Sequence, residues 1–320
     1  MDRPTPHETD EHMLTLLEQL KTPRVRDLAW TVGSAPSLHV PKNPLFMLDE
    51  EHRRYLADAH SMLMDLDSRP ESLQRWLASS TSTRLGLYFE RLLYFWIKSN
   101  ASLKLLAYNH QVSSQGRTLG AFDFIVGTGG GPEHWEVAIK YYLGVTGDHD
   151  WSTWIGPNQR DRLDIKMNRM RTHQLALSQT PEGRQALTAL GVNAAPVARL
   201  WIKGYFFRPW GAPVHGPHSA SSPVQHLWID TSCVAFYLAD CAEEIRWAIR
   251  QKPDWLSPIV QATQPMTRHE LRGVLKVLEH PLMVSEFVKT DDEYARETRR
   301  VFLVPHDWRR RAHENLGTRR

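Results

Sequence analysis

The segment GAFDFIVGTGGGPEHWEVAIKYYL, residues 120–143, decides the fold that we predict for this chain. It contains two runs rich in β-branched and aromatic residues, GAFDFIV and HWEVAIKYYL, and the glycine-rich stretch GTGGGP separates them. This pattern is typical of two neighbouring strands joined by a hairpin connection. Asp123 interrupts the first run between two phenylalanines, and burying a carboxylate is costly unless another group pairs with it. The segment therefore predicts a hairpin that carries a polar site.

The second strand of this hairpin supplies further polar side chains. Successive side chains of a strand point to opposite faces, so Glu136, Ala138 and Lys140 share one face. If Asp123 lies on that face too, two carboxylates and one ammonium group converge on adjacent strands. Carboxylates suit Mg²⁺ or Mn²⁺, which can polarise a phosphate and acidify a water, while a lysine stabilises developing charge. We therefore predict a metal site at Asp123 and Glu136, with Lys140 as a catalytic partner.

The sequence before the hairpin predicts helices. Apolar residues recur there at steps of three and four, which is typical of helices that bury one face. Residues 1–82 are therefore expected to form an N-terminal helical region. The predicted helices span residues 12–20, 25–32, 50–66, 69–80 and 83–100, and a strand is predicted over residues 103–112.

The sequence after the hairpin alternates between helix and strand patterns. A helix is predicted over residues 158–178 with Asn158 as its N-cap, followed by a helix over 181–190 and a strand over 197–207. Residues 210–223, rich in Gly, Pro, His and Ser, are expected to form a linker. The predicted C-terminal α+β extension, residues 224–320, contains strands at 224–230 and 300–304, helices at 237–251 and 267–278, and a frayed basic tail at 309–320.

The order of these elements indicates the fold class. Helix, three strands, helix and strand over residues 84–207 predict an α/β fold with a mixed central sheet flanked by helices. Together with Asp123, Glu136, Lys140 and a glutamate in the preceding helix, Glu90, this order resembles the core of the PD-(D/E)XK, or restriction-endonuclease-like, superfamily. We assign that core to residues 83–209. The resemblance implies a phosphodiesterase site in which Glu90 is a further metal ligand or positions water.

The chain as a whole also resembles a bacterial family of uncharacterised proteins, domain-of-unknown-function family 1853. Four segments carry this resemblance: RDLAW at 26–30, HWEVAIKYYL at 134–143, GPNQRDRLDIK at 156–166 and HQLALSQTPEGR at 173–184. This resemblance implies a nuclease-like fold, but it implies no established substrate.

One departure from the superfamily motif bears on catalysis. The motif places an acid two residues before the lysine, whereas here that position is Ala138 and Glu136 lies four residues before Lys140. Three explanations compete. A β-bulge brings Glu136 closer, Glu90 supplies the second carboxylate from its helix, or the site has lost catalysis while the fold is kept.

Polar residues of the helix after the third strand are further candidates. In nucleases of this superfamily, that helix lines the site and touches substrate phosphates, and the resemblance implies the same here. The competing interpretation is a solvated helix face with ion pairs. The candidates for substrate binding are Gln174, Lys166, Arg162 and Arg160.

Composition bounds the remaining possibilities. The 320 residues are 41% hydrophobic and 23% charged, which excludes a disordered chain. No apolar run reaches about 18 residues, so we expect no membrane partner. The polar N-terminus and two cysteines, Cys233 and Cys241, expected to be buried thiols, favour the cytoplasm. A net charge of +3 does not by itself indicate nucleic acid.

Three functions stay open: a metal-dependent nuclease, a nucleic-acid-binding protein on a degenerate nuclease fold, and a protein-interaction module.

Overall fold

Helices and strands alternate along the chain as an α/β fold. A computed structural model describes residues 8–40, 42–146, 149–212, 216–217, 226–262, 264–289 and 294–318. The helices are α1 (Glu8–Gln19), α2 (Pro23–Gly33), α3 (Asp49–Ser68), α4 (Glu71–Ala78), α5 (Leu85–Ser99), α6 (Leu163–Arg169), α7 (Pro181–Ala189), α8 (Val234–Asp240), α9 (Arg268–Leu275) and α10 (Trp308–Thr318). The strands are β1 (Lys104–Ser114), β2 (Arg117–Thr128), β3 (Gly131–Gly144), β4 (Trp154–Ile155), β5 (Val197–Pro209), β6 (His226–Asp230), β7 (Ile245–Arg250), β8 (Leu282–Lys289) and β9 (Tyr294–Val304).

The chain divides into two compact units. The first contains Met1–Ile139 and Lys166–Lys203, and the second contains Lys140–Ile165 and Gly204–Arg320. Strands run both parallel and antiparallel, so the predicted α/β class with a mixed central sheet and flanking helices is confirmed. The division into regions at residues 82 and 209 stays a prediction.

The first unit holds the predicted hairpin. β1, β2 and β3 pair as an antiparallel meander, and β5 is the next strand beside β3. The β2–β3 pairing runs without a register shift from Phe124 opposite Trp135 to Thr128 opposite Gly131. No bulge therefore occurs within these paired residues. The pairing ends at Phe124 and Trp135. The polar side chains Asp123 and Glu136 are the next residues beyond this end.

Aromatic side chains fill the core of the first unit. Trp201 of β5 lies 5.1 Å from Trp135 of β3 and 5.6 Å from Trp96 of α5, measured between ring centroids. Tyr55 of α3 packs edge-on against Trp96 at 5.1 Å. All four rings are buried, and aromatic pairs at these separations stabilise a core beyond the area that they bury. The cluster fixes α3 and α5 against one face of the sheet.

The second unit contains β6 to β9 and a core of its own. β5, β6 and β9 run parallel to one another, and β8 and β7 continue the sheet antiparallel. β4 pairs with the end of β3. The core consists of aliphatic residues from β6, β8 and β9 together with α8, α9 and Trp247 of β7.

The five helices predicted within residues 12–100 are observed as α1 to α5, whereas the helix predicted over residues 158–178 is wrong in both its start and its regularity. α6 begins at Leu163, because Gln159 has a positive φ of 59° and the Gly156 amide bonds to the Asp161 carbonyl, which together form a turn. Asn158 is therefore not its N-cap. After Arg169 the helix widens into a π turn, Met170–Gln174, and then tightens into a 3₁₀ turn, Leu175–Gln179.

Predictions for the C-terminal third need further correction. The helix predicted over 237–251 is instead α8, which ends at Asp240, followed by strand β7. The alternating sequence IRWAIR pairs with β8, a strand that the sequence analysis missed. The tail predicted to fray forms α10, because Trp308 and Ala312 are buried and the Trp308 indole donates to the Pro157 carbonyl at 2.6 Å.

Three further predictions concern the cysteines, the linker and membrane-spanning helices. Cys233 and Cys241 are free thiols that are partly buried, not fully buried as expected. Parts of the predicted linker, residues 213–215 and 218–225, lie outside the described residues. Within the residues that the structure covers, no helix combines the length and the apolar character needed to cross a membrane.

Candidate functional site

Asp123 and Glu136 face each other where the β2–β3 ladder ends. Phe124 pairs with Trp135, and the same register continued by one residue sets Asp123 opposite Glu136. The two side chains therefore share a face, and the charge of Glu136 acts on the carboxyl group of Asp123. The Val137 amide donates to Asp123 Oδ2 at 3.1 Å. The structure thus brings both predicted acids together.

Two neutral side chains hold the buried carboxylate of Glu136. His134 Nε2 lies 3.1 Å from Oε1, and Gln174 Nε2 donates to Oε2 at 2.6 Å. Burial lowers the pKa of His134 to about 4, so its ring is neutral near pH 7 and can donate its Nε2–H to the carboxylate. The other ring nitrogen, Nδ1, is buried without a hydrogen-bond partner.

Gln174 also connects the site to a cation. Lys166 Nζ donates to Gln174 Oε1 at 3.1 Å. An ammonium group only donates and an ionised carboxylate only accepts, so these two partners fix which end of the amide is oxygen and which is nitrogen. A continuous chain of hydrogen bonds therefore runs from Lys166 through Gln174 to Glu136.

The π turn explains why residues eight positions apart can touch. An α-helix turns by about 100° per residue, so residues 166 and 174 would lie roughly 80° apart around a regular helix. The wider winding of a π turn rotates the chain less per residue, and Met170–Gln174 adopt that winding. Lys166 and Gln174 consequently lie on the same side of the segment. Both residues are substrate-binding candidates from the sequence, but no sequence pattern predicts the hydrogen bond between them.

Glu90 on α5 completes what we call the carboxylate cluster, Glu90, Asp123 and Glu136. Its side chain is partly buried, the charge of Asp123 acts on it, and its own charge acts on Glu136. The contribution of a glutamate from the preceding helix to the site stays a prediction.

The carboxylate cluster has raised proton affinity. Burial, reinforced by Asp123, raises the pKa of Glu90 to about 7. Burial and the charge of Glu136 raise the pKa of Asp123 to about 7, against the lowering effect of the Val137 amide. Burial likewise raises the pKa of Glu136 to about 7. In all three cases the positive charge of Lys166 lowers the pKa in part. The cluster therefore favours a bound proton or a bound cation.

The other predicted site residues belong to the second unit. The ammonium group of Lys140 forms an ion pair with Asp161, and both side chains are about one third exposed. Arg162 makes a two-pronged contact with Asp164, with Nε–Oδ1 at 2.7 Å and Nη2–Oδ2 at 3.0 Å. Arg160 is exposed.

His134 is the site residue that the sequence analysis did not nominate. A signal for it existed, because strand alternation sets His134 on the same face as Glu136, two positions away. A buried histidine beside a carboxylate more often stabilises that carboxylate than reacts, and its hydrogen bond to Glu136 fits this role.

The carboxylate oxygens of this site can be weighed as ligands of a divalent cation. In the part of the chain that the structure describes, no group of three or more His, Cys, Asp or Glu side chains is arranged to hold a metal by itself. Mg²⁺, however, is usually held by one or two carboxylates together with water and substrate phosphates. Asp123 and Glu136 are hard oxygen donors that the register sets on one face of neighbouring strands, so the residues present fit such an ion.

Comparisons with known proteins place the chain in a family. No curated protein and no solved structure matches it. The model of a family described as Domain of unknown function (DUF1853) matches residues 26–304. That match covers most of the 320 residues, and the chain therefore belongs to this family.

Proposed function

We propose that this protein is a metal-dependent nuclease that hydrolyses phosphodiester bonds in DNA or RNA. The carboxylate cluster carries the proposal, because the strand register sets Asp123 opposite Glu136 and burial raises the pKa of all three acids of the cluster. The order α5, β1, β2, β3, α6, β5, with the short strand β4 before α6 and helix α7 after it, supports it, since helix, three strands, helix and strand is the order of a PD-(D/E)XK core. The proposed partner is a nucleic acid in the cytoplasm.

Each residue has a proposed role. Asp123 and Glu136, with Glu90 as a further ligand, would hold Mg²⁺ or Mn²⁺, which supplies Lewis acidity toward a phosphate and a bound water. The Val137 amide orients the Asp123 carboxylate, and Gln174 orients that of Glu136.

Cationic side chains provide the remaining roles. The superfamily motif assigns the ammonium role, on the attacking water or the developing phosphate charge, to Lys140. The proposed phosphate contacts are Gln174, Lys166, Arg162 and Arg160.

A second candidate function is nucleic-acid binding on a catalytically degenerate nuclease fold. One observation favours it: both oxygens of Glu136 already accept hydrogen bonds, from His134 and from Gln174. The motif position two residues before Lys140 is Ala138, which cannot replace this carboxylate. Such a protein would bind DNA or RNA in a salt-sensitive way without cleaving it.

Calorimetry with Mg²⁺ and Mn²⁺ tests the proposal. We expect the wild type to bind and Asp123→Ala to lose at least tenfold in affinity, because one of the proposed ligands is removed. Asp58→Ala, an exposed acid on α3, is the matched control and should bind as the wild type does. A screen of single- and double-stranded DNA and RNA should then show cleavage that Asp123→Ala abolishes.

Two outcomes would count against this proposal. Cleavage retained in Asp123→Ala would reject the site. Salt-dependent retention of nucleic acid by a wild type that neither binds metal nor cleaves would favour the degenerate fold.

A further inference from the structure

We propose that Lys166 is the cation that acts with the carboxylate cluster, and that Gln174 is the residue that positions it. This inference rests on the proposed nuclease function and assigns the charge-stabilising role within it. Lys166 would place its ammonium group beside the negative charge that develops on a phosphate attacked at the cluster.

The hydrogen-bond chain is the geometric basis. Gln174 accepts from Lys166 Nζ at 3.1 Å and donates to Glu136 Oε2 at 2.6 Å, so one amide bridges a cation and an anion. The amide therefore holds the ammonium group and the carboxylate in a fixed relation. Such a fixed arrangement is what charge stabilisation during catalysis requires.

Electrostatics agree with this geometry. The positive charge of Lys166 acts on all three acids of the cluster and lowers the pKa of each in part. Lys140, which the sequence motif nominates, forms an ion pair with Asp161. The bridge through Gln174 is the observation that favours Lys166 for the role.

The local fold accounts for the position of Lys166. The π turn Met170–Gln174 sets Gln174 on the same side as Lys166, and single π turns inside helices are frequent at functional sites. Leu163, Met167 and Met170 are buried and anchor the segment. In this proposal, the π turn positions Gln174 so that it links the ammonium group of Lys166 to the carboxylate of Glu136.

Metal affinity is the first readout. A cation at the cluster repels a second cation, so Lys166→Met should bind Mg²⁺ several-fold more tightly than the wild type while cleavage falls at least 100-fold. Lys166→Arg keeps the charge, and its Mg²⁺ affinity should stay close to that of the wild type. Lys98→Met, an exposed lysine on α5, is the matched control and should change neither quantity.

Gln174 has a readout that a purely structural residue would not give. Gln174→Leu removes both bonds of the bridge at nearly constant volume, and kcat should fall about tenfold or more in the wild-type background. In a Lys166→Met background the same substitution should change kcat less than twofold, because no cation is left to position. Equal losses in the two backgrounds would reject the positioning role.

Thermal unfolding gives a test that needs neither metal nor substrate. At pH 8 without divalent ions, Lys166→Met should lower the melting temperature by several degrees. In an Asp123→Asn background the same change should lower it by clearly less.

The combined results separate the two proposals. Unchanged Mg²⁺ affinity in Lys166→Met together with equal melting shifts in both backgrounds would overturn the role of Lys166. Absence of metal binding and of cleavage in the wild type, with the unequal melting shifts intact, would overturn the nuclease function and leave Lys166 as the cation of the cluster.

Discussion

Asp123, Glu136 and Glu90 make the stability of the protein depend on pH. Their pKa values lie near 7 in the folded state, against 3.8 for an ordinary Asp and 4.5 for an ordinary Glu. The folded state therefore binds their protons more tightly than the unfolded state does. Their contribution to stability is fully present below about pH 4 and is lost as the pH rises through about 7.

We expect the free energy of unfolding, measured with urea, to fall by about 2–3 kcal/mol for each of these groups between pH 5 and pH 8. Asp123→Asn should lose much of this fall, because it removes a central charge of the cluster. Mg²⁺ added at pH 8 should restore stability to the wild type by binding the folded state. A wild type and an Asp123→Asn variant with parallel pH profiles would contradict the grouping of these carboxyls.

The two predicted acids could be paired from the sequence because strand alternation is a strict rule. Once the hairpin register is known, Asp123 and Glu136 must lie opposite each other. The bonds that His134 and Gln174 make could not be predicted. The first depends on which rotamer the buried ring adopts, and the second depends on a π turn that no periodicity announces.

At the scale of elements, the turn into α7 fixes the segment that carries Gln174. Thr180 caps the helix by accepting from the Gly183 amide, and Pro181 occupies its first turn. Gly183 has no room for a side chain: an added Cβ would lie 1.9 Å from the Leu177 carbonyl oxygen, which is backbone. This close approach locks the 3₁₀ turn Leu175–Gln179 against α7.

Gly183→Ala should therefore lower the free energy of unfolding by about 2–3 kcal/mol, because backbone must move to admit the methyl group. Gly86→Ala on α5 is the matched control, since its added Cβ would meet nothing within 4 Å. That variant should gain about 0.5–1 kcal/mol from lower chain entropy in the unfolded state. Urea unfolding measures both. Equal changes in the free energy of unfolding for the two substitutions would contradict this prediction. They would mean that helix propensity, and not the close approach of Gly183 to Leu177, determines the effect of Gly183→Ala.

Elements were predictable where one periodicity dominated. α1 to α5 carry apolar stripes at steps of three and four, and each was located within a few residues of its observed bounds. The helix predicted over residues 237–251 failed because apolar residues from α8 and β7 merge into one run. IRWAIR forms a strand because it pairs with β8. Since β8 lies more than 30 residues further along the chain, the local sequence does not reveal this pairing.

At the scale of the whole molecule, the order of the chain does not reveal its compact units. The chain passes from one unit to the other after residues 139, 165 and 203, and two of these positions lie inside strands β3 and β5. Composition and linker signals mark boundaries only where contacts along the chain are sparse. Continuous strands give no such signal, so sequence reasoning could not find this division.

The net charge of +3 gives nucleic acid little general attraction, so local charge must decide binding. Without metal, the carboxylate cluster presents negative charge to an incoming phosphate and should repel it. We therefore expect Asp123→Asn to bind a short labelled oligonucleotide several-fold more tightly than the wild type in EDTA at low salt, measured by fluorescence anisotropy. Asp58→Asn, which neutralises an exposed acid on α3, should bind as the wild type does.

Mg²⁺ should reverse this order, because the ion neutralises the wild-type cluster and offers the phosphate a ligand position that the variant holds less well. The wild type should then gain affinity on adding Mg²⁺ by a larger factor than Asp123→Asn gains. Raising the salt concentration should weaken all of these complexes, since phosphate contacts release counterions. Equal affinity of the wild type and Asp123→Asn in EDTA, with equal gains in Mg²⁺, would mean that nucleic acid binds elsewhere and that the cluster is not where phosphates dock.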